Sequence, residues 1–305
     1  MIENLTAALQ QLGHVKEYEP MHQHTTFRIG GTVRYAFYPH DEKALMQAIG
    51  LAQEHHMAYK VVGRGSNLLW CDEPLDMMVI FLEHGFQEYA FQDDMLHCGA
   101  GCSLIALAWK AMEAGLAGLE FASGIPGSVG GALFMNAGAY LSSMADIVQE
   151  ALVLTDEGLR WLSKEELQFG YRHSILKVHP DWIVVKTVLQ LHPKPSAEIL
   201  EVMESRKKRR LESQPLDFPS AGSTFKNPSA KPAWKCIEDV DLRGYQIGGA
   251  QLSNKHCNFV VNAGSATASD VLELVELVQK RVYEAMAIEL VMEVEQYQCQ
   301  IKQRT

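Results

Sequence analysis

Between Phe121 and Tyr140 the chain reads FASGIPGSVGGALFMNAGAY, with Gly124, Gly127, Gly130, Gly131 and Gly138 set among small apolar residues. Glycine at that density lets backbone approach a ligand, or another backbone, where any Cβ would collide. Gly-Ile-Pro-Gly at 124–127 predicts a tight turn, with Ser128 capping a short helix whose exposed first amides would form an anion site. By itself the stretch fits equally a buried turn that only permits close packing. It is the most apolar window of the chain, but its five glycines, Pro126 and Asn136 exclude it as a membrane-spanning helix.

A length of 305 residues suits two domains, or one large α/β body with an appended lobe. The formal charge of -10 argues against nucleic acid or an anionic membrane as partner. An anionic ligand would therefore have to be held by local positive charge. Met1 to Val15 carries Glu3 and polar residues where a secretory signal would run apolar, so a cytoplasmic protein is expected. The six cysteines, at 71, 98, 102, 236, 257 and 299, form neither CxxC pairs nor a disulfide framework. No metal site is expected, and Cys98 and Cys102 read as buried small residues.

Strand, glycine turn and helix alternate through the first part of the chain. Residues 1–20 read as a helix and connector, 35–39 as a strand, and Asp41 as the start of a helix running to about His56. Tyr59 to Val62 is a short β-type run broken by Gly63-Arg64-Gly65-Ser66-Asn67, a second anion-loop candidate that is neither a dinucleotide fingerprint nor a P-loop. A helix is expected over Ser103–Ala114, a hairpin over 148–162 and a strand over 183–191. After a boundary near 193–196, a charged helix carries Arg206-Lys207-Lys208-Arg209-Arg210, either a solvated face or a guide for an anionic substrate. Pro219 to Pro228 (PSAGSTFKNP) is a rigid loop of hydroxyls, a lysine and an amide. Helices over 231–240 and 267–286 and a closing strand over 290–295 complete the reading.

Several of these segments, in order, resemble one family. Val61–Leu69 (VVGRGSNLL), Ser123–Tyr140 (SGIPGSVGGALFMNAGAY) and Ala221–Pro228 (AGSTFKNP), with Thr25–Gly31 (TTFRIGG), Gly170–Ser174 (GYRHS) and Leu290–Val294 (LVMEV), are similar to UDP-N-acetylenolpyruvoylglucosamine reductase. That flavoenzyme makes UDP-N-acetylmuramate for peptidoglycan, and the likeness covers about residues 20–295. It implies an α+β fold: a two-lobed FAD-binding domain of the p-cresol methylhydroxylase/vanillyl-alcohol oxidase type at 21–194, after an N-terminal helix and connector at 1–20. A C-terminal α+β substrate-binding domain at 195–305 would follow.

The resemblance implies that FAD is bound without a covalent link and that NADPH is the reductant. Gly63, Arg64, Gly65, Ser66, Asn67 and Leu68 would hold the cofactor. So would Ser123, Gly124, Ile125, Pro126, Gly127 and Ser128, with Gly130 and Gly131. It places Ser223 as proton donor and Arg172 and Glu293 as stabilisers of the charge that develops on the substrate carboxylate. The chemistry of each side chain suits the role: a guanidinium pairs bidentately with a carboxylate, a protonated glutamate donates a hydrogen bond, and a hydroxyl on a rigid loop hands over its proton. Tyr171, Lys226, Asn227, Gln251 and Arg210 are candidates for substrate contact, with His256 and Arg209 beside them. The chain matches the shorter branch of the family, without the tyrosine-bearing lid insert, and departs from the pattern where Glu295-Gln296-Tyr297-Gln298 replaces an expected terminal glycine. A monomer acting on small molecules is expected. Two other readings remain open at this point: an FAD-dependent sugar or hydroxy-acid oxidase of the same fold, and a catalytically silent UDP-sugar binder.

Overall fold

The computed structural model describes residues 2–298, so Cys299 lies outside the described residues. The chain opens with α1 (Ile2–Leu12), β1 (Gly13–Pro20), β2 (Thr32–Pro39), α2 (Glu42–Glu54), β3 (Ala58–Val62), β4 (Leu68–Trp70) and β5 (Leu75–Phe81). It continues through β6 (Tyr89–Gln92), β7 (Met95–Gly99), α3 (Leu104–Glu113), β8 (Leu116–Ala117), α4 (Val129–Met135), β9 (Gly138–Ala139), β10 (Ser142–Ser143) and α5 (Met144–Ile147). Then come β11 (Val148–Thr155), β12 (Gly158–Ser163), β13 (Ile183–Gln190), β14 (His192–Pro193) and α6 (Ser196–Ser213). The last elements are α7 (Ala233–Glu238), β15 (Gln246–Ile247), β16 (Ala250–Leu252), β17 (Val260–Asn262), α8 (Ala268–Met286) and β18 (Glu295–Tyr297). Among the described residues no helix is long and apolar enough to cross a membrane.

Two compact units interleave along the sequence. One holds the chain up to Glu17, Tyr35–Arg64 and Asp76–Arg209; the other holds Tyr18–Arg34, Gly65–Leu75 and the chain from Arg210 on. The first unit contains a five-stranded sheet ordered β12-β11-β13-β7-β6 and most of a four-stranded sheet ordered β1-β2-β5-β3. The β-branched run of β13 takes a central place, with Ile183, Val184, Val185, Val188 and Leu189 all buried. Asp41 starts α2 by accepting from Ala44 N at 2.8 Å, and Ser103 caps α3 as its side chain accepts from Ala106 N. Cys98 and Cys102 are buried, and burial pushes both thiol pKa values up.

Residues 13–20 form a strand where the sequence suggested a connector. β1 is an edge strand whose side chains are largely exposed and polar, so it carries no apolar alternation that would have announced it.

In the second unit β15, β16 and β17 form an antiparallel sheet, with α7 and α8 contributing Cys236, Ile237, Val271, Leu274, Val275 and Val278 to its core. Thr267 and Asp270 make a capping box at the start of α8, and the Asp72 carboxylate accepts from Ala268 N at 2.8 Å and Ser269 N at 3.3 Å. The strand expected at 290–295 begins only at Glu295, where β18 pairs in parallel with β4. Residues 291–293 lie instead against the irregular 224–226 loop, whose neighbouring prolines prevent a continuous ladder.

Candidate active site

In the first unit the glycine-rich stretch folds as the turn and short helix its sequence suggested. Ser128 caps α4, its hydroxyl accepting from Gly131 N at 3.4 Å. The first amides of α4 are not exposed, however. Val129 N donates to Cys102 O at 3.0 Å and Gly130 N to Ala100 O at 2.9 Å, so the bend after β7 already occupies them. Unoccupied amides are found in the other glycine loop: the N–H groups of Arg64, Gly65 and Ser66 have no acceptor among the described residues. Gly63 comes so close to the Ser128 hydroxyl that a Cβ there would fall inside van der Waals contact. The two glycine loops therefore meet at Gly63 and Ser128.

The far end of α4 holds the Arg172 turn. Gly170 and His173 close a tight turn through Gly170 N to His173 O at 3.0 Å and His173 N to Gly170 O at 3.1 Å, with Arg172 in the left-handed region at φ 53°. Asn136, the left-handed C-cap of α4, donates from Nδ2 to Gly170 O at 2.8 Å. Arg172 Nη2 donates to Gly138 O at 3.0 Å, and the buried Ser174 hydroxyl donates to Phe134 O at 2.9 Å. Tyr171 is exposed, its ring 5.3 Å from the Arg172 guanidinium carbon. In the same unit Arg206 and Arg209 lie over the Tyr140 ring at 4.8 and 6.0 Å, so part of the basic cluster packs on an aromatic face.

In the second unit the remaining motifs converge. Thr26 N donates to Gly65 O at 3.2 Å while its hydroxyl donates to Ser220 O at 2.7 Å. Asn67 donates from Nδ2 to Glu293 O at 3.1 Å, and its own carbonyl accepts from Glu295 N at 3.0 Å. Glu293 N in turn donates to Thr224 O at 2.8 Å, which sets the residue after Ser223 beside Glu293. The Ser223 hydroxyl has no hydrogen-bond partner among the described residues, and a side chain at the preceding Gly222 would meet nothing within 4 Å. Ser223 is thus a half-buried residue with an unengaged hydroxyl on a fixed loop.

That loop is fixed by Asn258, for which the sequence carried no signal. The buried Asn258 side chain takes Phe225 N at 3.0 Å and gives to Phe225 O at 2.9 Å, while its carbonyl takes Thr224 N at 2.7 Å. The other candidates divide. Asn227 Oδ1 accepts from Ala233 N at 3.1 Å and so opens α7, and Gln251 Nε2 donates to Gly244 O at 3.1 Å. Lys226 is half-buried with no ion pair among the described residues, and Arg210 sits in the last turn of α6. Burial lowers the pKa of His256, helped by Arg243, and its Nδ1 is buried with no hydrogen-bond partner among the described residues.

Residues 214–297 match the model of the UDP-N-acetylenolpyruvoylglucosamine reductase C-terminal domain, and residues 33–163 match that of an FAD binding domain. A UDP-N-acetylenolpyruvoylglucosamine reductase of Agathobacter rectalis is 45% identical, covering 96% of each chain. The chain belongs to the UDP-N-acetylenolpyruvoylglucosamine reductase family. Its relative in Bacillus subtilis is 40% identical over 94% of this chain and 95% of that one. The crystal structure of the reductase from Thermus caldophilus superposes with a TM-score of 0.80 at 37% identity, covering 93% of this chain and 99% of the other. The α+β fold with an FAD-binding domain and a reductase-type C-terminal domain is therefore that of the family.

FAD is the cofactor this membership brings, and the residues present fit it. A pyrophosphate needs several N–H donors, and the amides of Arg64, Gly65 and Ser66 have no acceptor among the described residues.

Proposed function

We infer that this protein is the FAD-dependent enzyme that reduces the enolpyruvyl group of UDP-N-acetylenolpyruvoylglucosamine to the lactyl ether of UDP-N-acetylmuramate, a peptidoglycan precursor, with NADPH as reductant. Bound FAD supplies the hydride for one carbon of the enol ether. Gly63–Leu68 and Ser123–Ser128 would hold it, with Gly130 and Gly131 only lining the approach because their amides are spent on Ala100 O and Ser128 Oγ; the unoccupied amides of Arg64, Gly65 and Ser66 would meet its phosphates. Ser223 gives its proton to the other alkene carbon. Negative charge meanwhile develops on the substrate carboxylate, where Arg172 and Glu293 stabilise it. Tyr171, Lys226, Gln251 and Arg210 contact the substrate, with Asn227 supporting the loop. The protein works as a cytoplasmic monomer on small molecules, without nucleic acid.

The observation that carries this reading is the bond from Glu293 N to Thr224 O at 2.8 Å. It holds a carboxyl-bearing residue and one with an unengaged hydroxyl on neighbouring backbone, as a proton donor and a charge-stabilising group on one substrate require. The purified yellow protein should consume NADPH in proportion to added UDP-N-acetylenolpyruvoylglucosamine. Oxidation of a sugar or hydroxy acid at the expense of O2 would favour the oxidase reading, and binding of the nucleotide sugar without NADPH consumption would favour a silent binder.

A further inference from the structure

Three residues of one stretch grip the Arg172 turn. Phe134 O accepts from the Ser174 hydroxyl, Asn136 Nδ2 donates to Gly170 O, and Gly138 O accepts from Arg172 Nη2, at 2.9, 2.8 and 3.0 Å. Asn136 is the centre of that grip. Its side chain is buried, and while Nδ2 holds Gly170, Oδ1 accepts from Ala145 N at 2.9 Å. Both ends of one amide are thereby spent, which fixes its plane. The backbone at Asn136 is left-handed, φ 43°, a conformation that asparagine tolerates and that turns the chain so Gly138 O can meet the guanidinium. Arg172 is itself left-handed, at φ 53°. Such a conformation persists only where the surroundings over-determine it.

We infer that Asn136 is a positioning residue for Arg172: by holding the Gly170 carbonyl it sets the turn that aims the guanidinium, and the cap it forms delivers the Gly138 carbonyl that fixes one guanidinium edge. A long side chain held in this way reaches its carboxylate partner already oriented, and loss of that orientation slows the step that needs it. The inference rests on the reading that Arg172 meets the substrate carboxylate. It separates Asn136 from a mere helix cap, because the cap bonds from Asn136 N to Ala132 O and Leu133 O belong to the backbone and survive side-chain substitution.

Two substitutions in the FAD-loaded protein test it. Asn136→Gly keeps the left-handed cap and removes both side-chain bonds; Asn136→Asp keeps the acceptor for Ala145 N and removes the donor to Gly170. Both should slow reoxidation of the reduced flavin by UDP-N-acetylenolpyruvoylglucosamine by about 10- to 100-fold, the range expected from a lost hydrogen bond to a misplaced group. Flavin reduction by NADPH and the Kd for FAD should stay within about twofold of the parent, smaller than the loss of one hydrogen bond. A structural role would lower FAD retention and both half-reactions together, because α4 also carries Ser128 against Gly63, and that result overturns the inference. So does a normal Asn136→Asp beside a slow Asn136→Gly, which would assign the effect to Ala145. Arg172→Lys is measured in parallel. If it leaves reoxidation unchanged, the reading of Arg172 fails; if it slows reoxidation while Asn136→Asp does not, the positioning inference alone fails.

Discussion

Asn67 brackets Glu293: its side-chain amide donates to the Glu293 carbonyl at 3.1 Å and its own carbonyl accepts from Glu295 N at 3.0 Å. The tail beyond Glu293, where the sequence departs from the family's usual ending, is thereby put to use. β18 runs parallel to β4, and Tyr297 stacks on the buried Trp70 with ring centroids 4.4 Å apart. Asn67 thus belongs to a glycine loop by sequence and to the support of Glu293 by contact.

Gly63→Ala should weaken FAD retention. The added Cβ would press on the Ser128 hydroxyl, so that side chain must turn away and give up its cap on Gly131 N, or the 63–66 loop must shift. Overpacking of this kind costs about 1–3 kcal/mol, and 1.4 kcal/mol is about tenfold in affinity. Flavin release followed by fluorescence is the measurement. Parent-like affinity would show that the loops can part without loss.

Asn258→Ala should destabilise the protein by roughly 2–4 kcal/mol, since two side-chain bonds vanish and Phe225 N and O are left buried without partners. Phe225 and Asn258 are both buried, so water cannot readily replace the amide. The midpoint of urea unfolding reads this directly. A shift of less than about 1 kcal/mol, the size of one ordinary hydrogen bond, would mean that the 223–225 loop does not depend on the clamp.

His256 gives a pH signature. Its folded pKa lies below the unfolded value because burial disfavours the charged ring, and Arg243 adds to that. The unfolded chain therefore binds the proton first as pH falls, so stability present above about pH 6.5 is lost as pH drops through the folded value. His256→Leu should flatten that part of a curve of stability against pH. An unchanged curve would assign the acid sensitivity to other groups.

The sequence made some of this architecture legible and hid the rest for physical reasons. Glycine density marked both loops, because only close backbone approach calls for it, and Ser128, Asp41, Ser103 and Thr267 announced helix starts through capping chemistry. The roles proposed for Arg172, Ser223 and Glu293 rest on likeness to the family; singly, each is an ordinary turn or surface residue. The amides that hold the backbone, Asn136 and Asn258, left no trace. A side chain bonded to main chain far away in sequence, 34 residues in one case and 33 in the other, has no period to betray it. The first turn of α4 shows the converse error, for its amides looked available in sequence and are taken by Cys102 and Ala100.

Ser223→Ala separates proton donation from simple support. The hydroxyl has no partner among the described residues, so its removal breaks no bond of the fold and should leave stability unchanged. Flavin reduction by NADPH requires no proton for the enolpyruvyl substrate and should remain near the parent rate. Reoxidation by UDP-N-acetylenolpyruvoylglucosamine should fall much further, because general acid catalysis is worth about 10²–10⁴-fold, whereas an ordinary hydrogen bond accounts for about tenfold at most. Stopped-flow absorbance of the flavin follows each half separately. A loss in reoxidation within about tenfold would reduce Ser223 to a hydrogen-bonding contact, and equal damage to both halves would point to a disturbed flavin site rather than a missing proton.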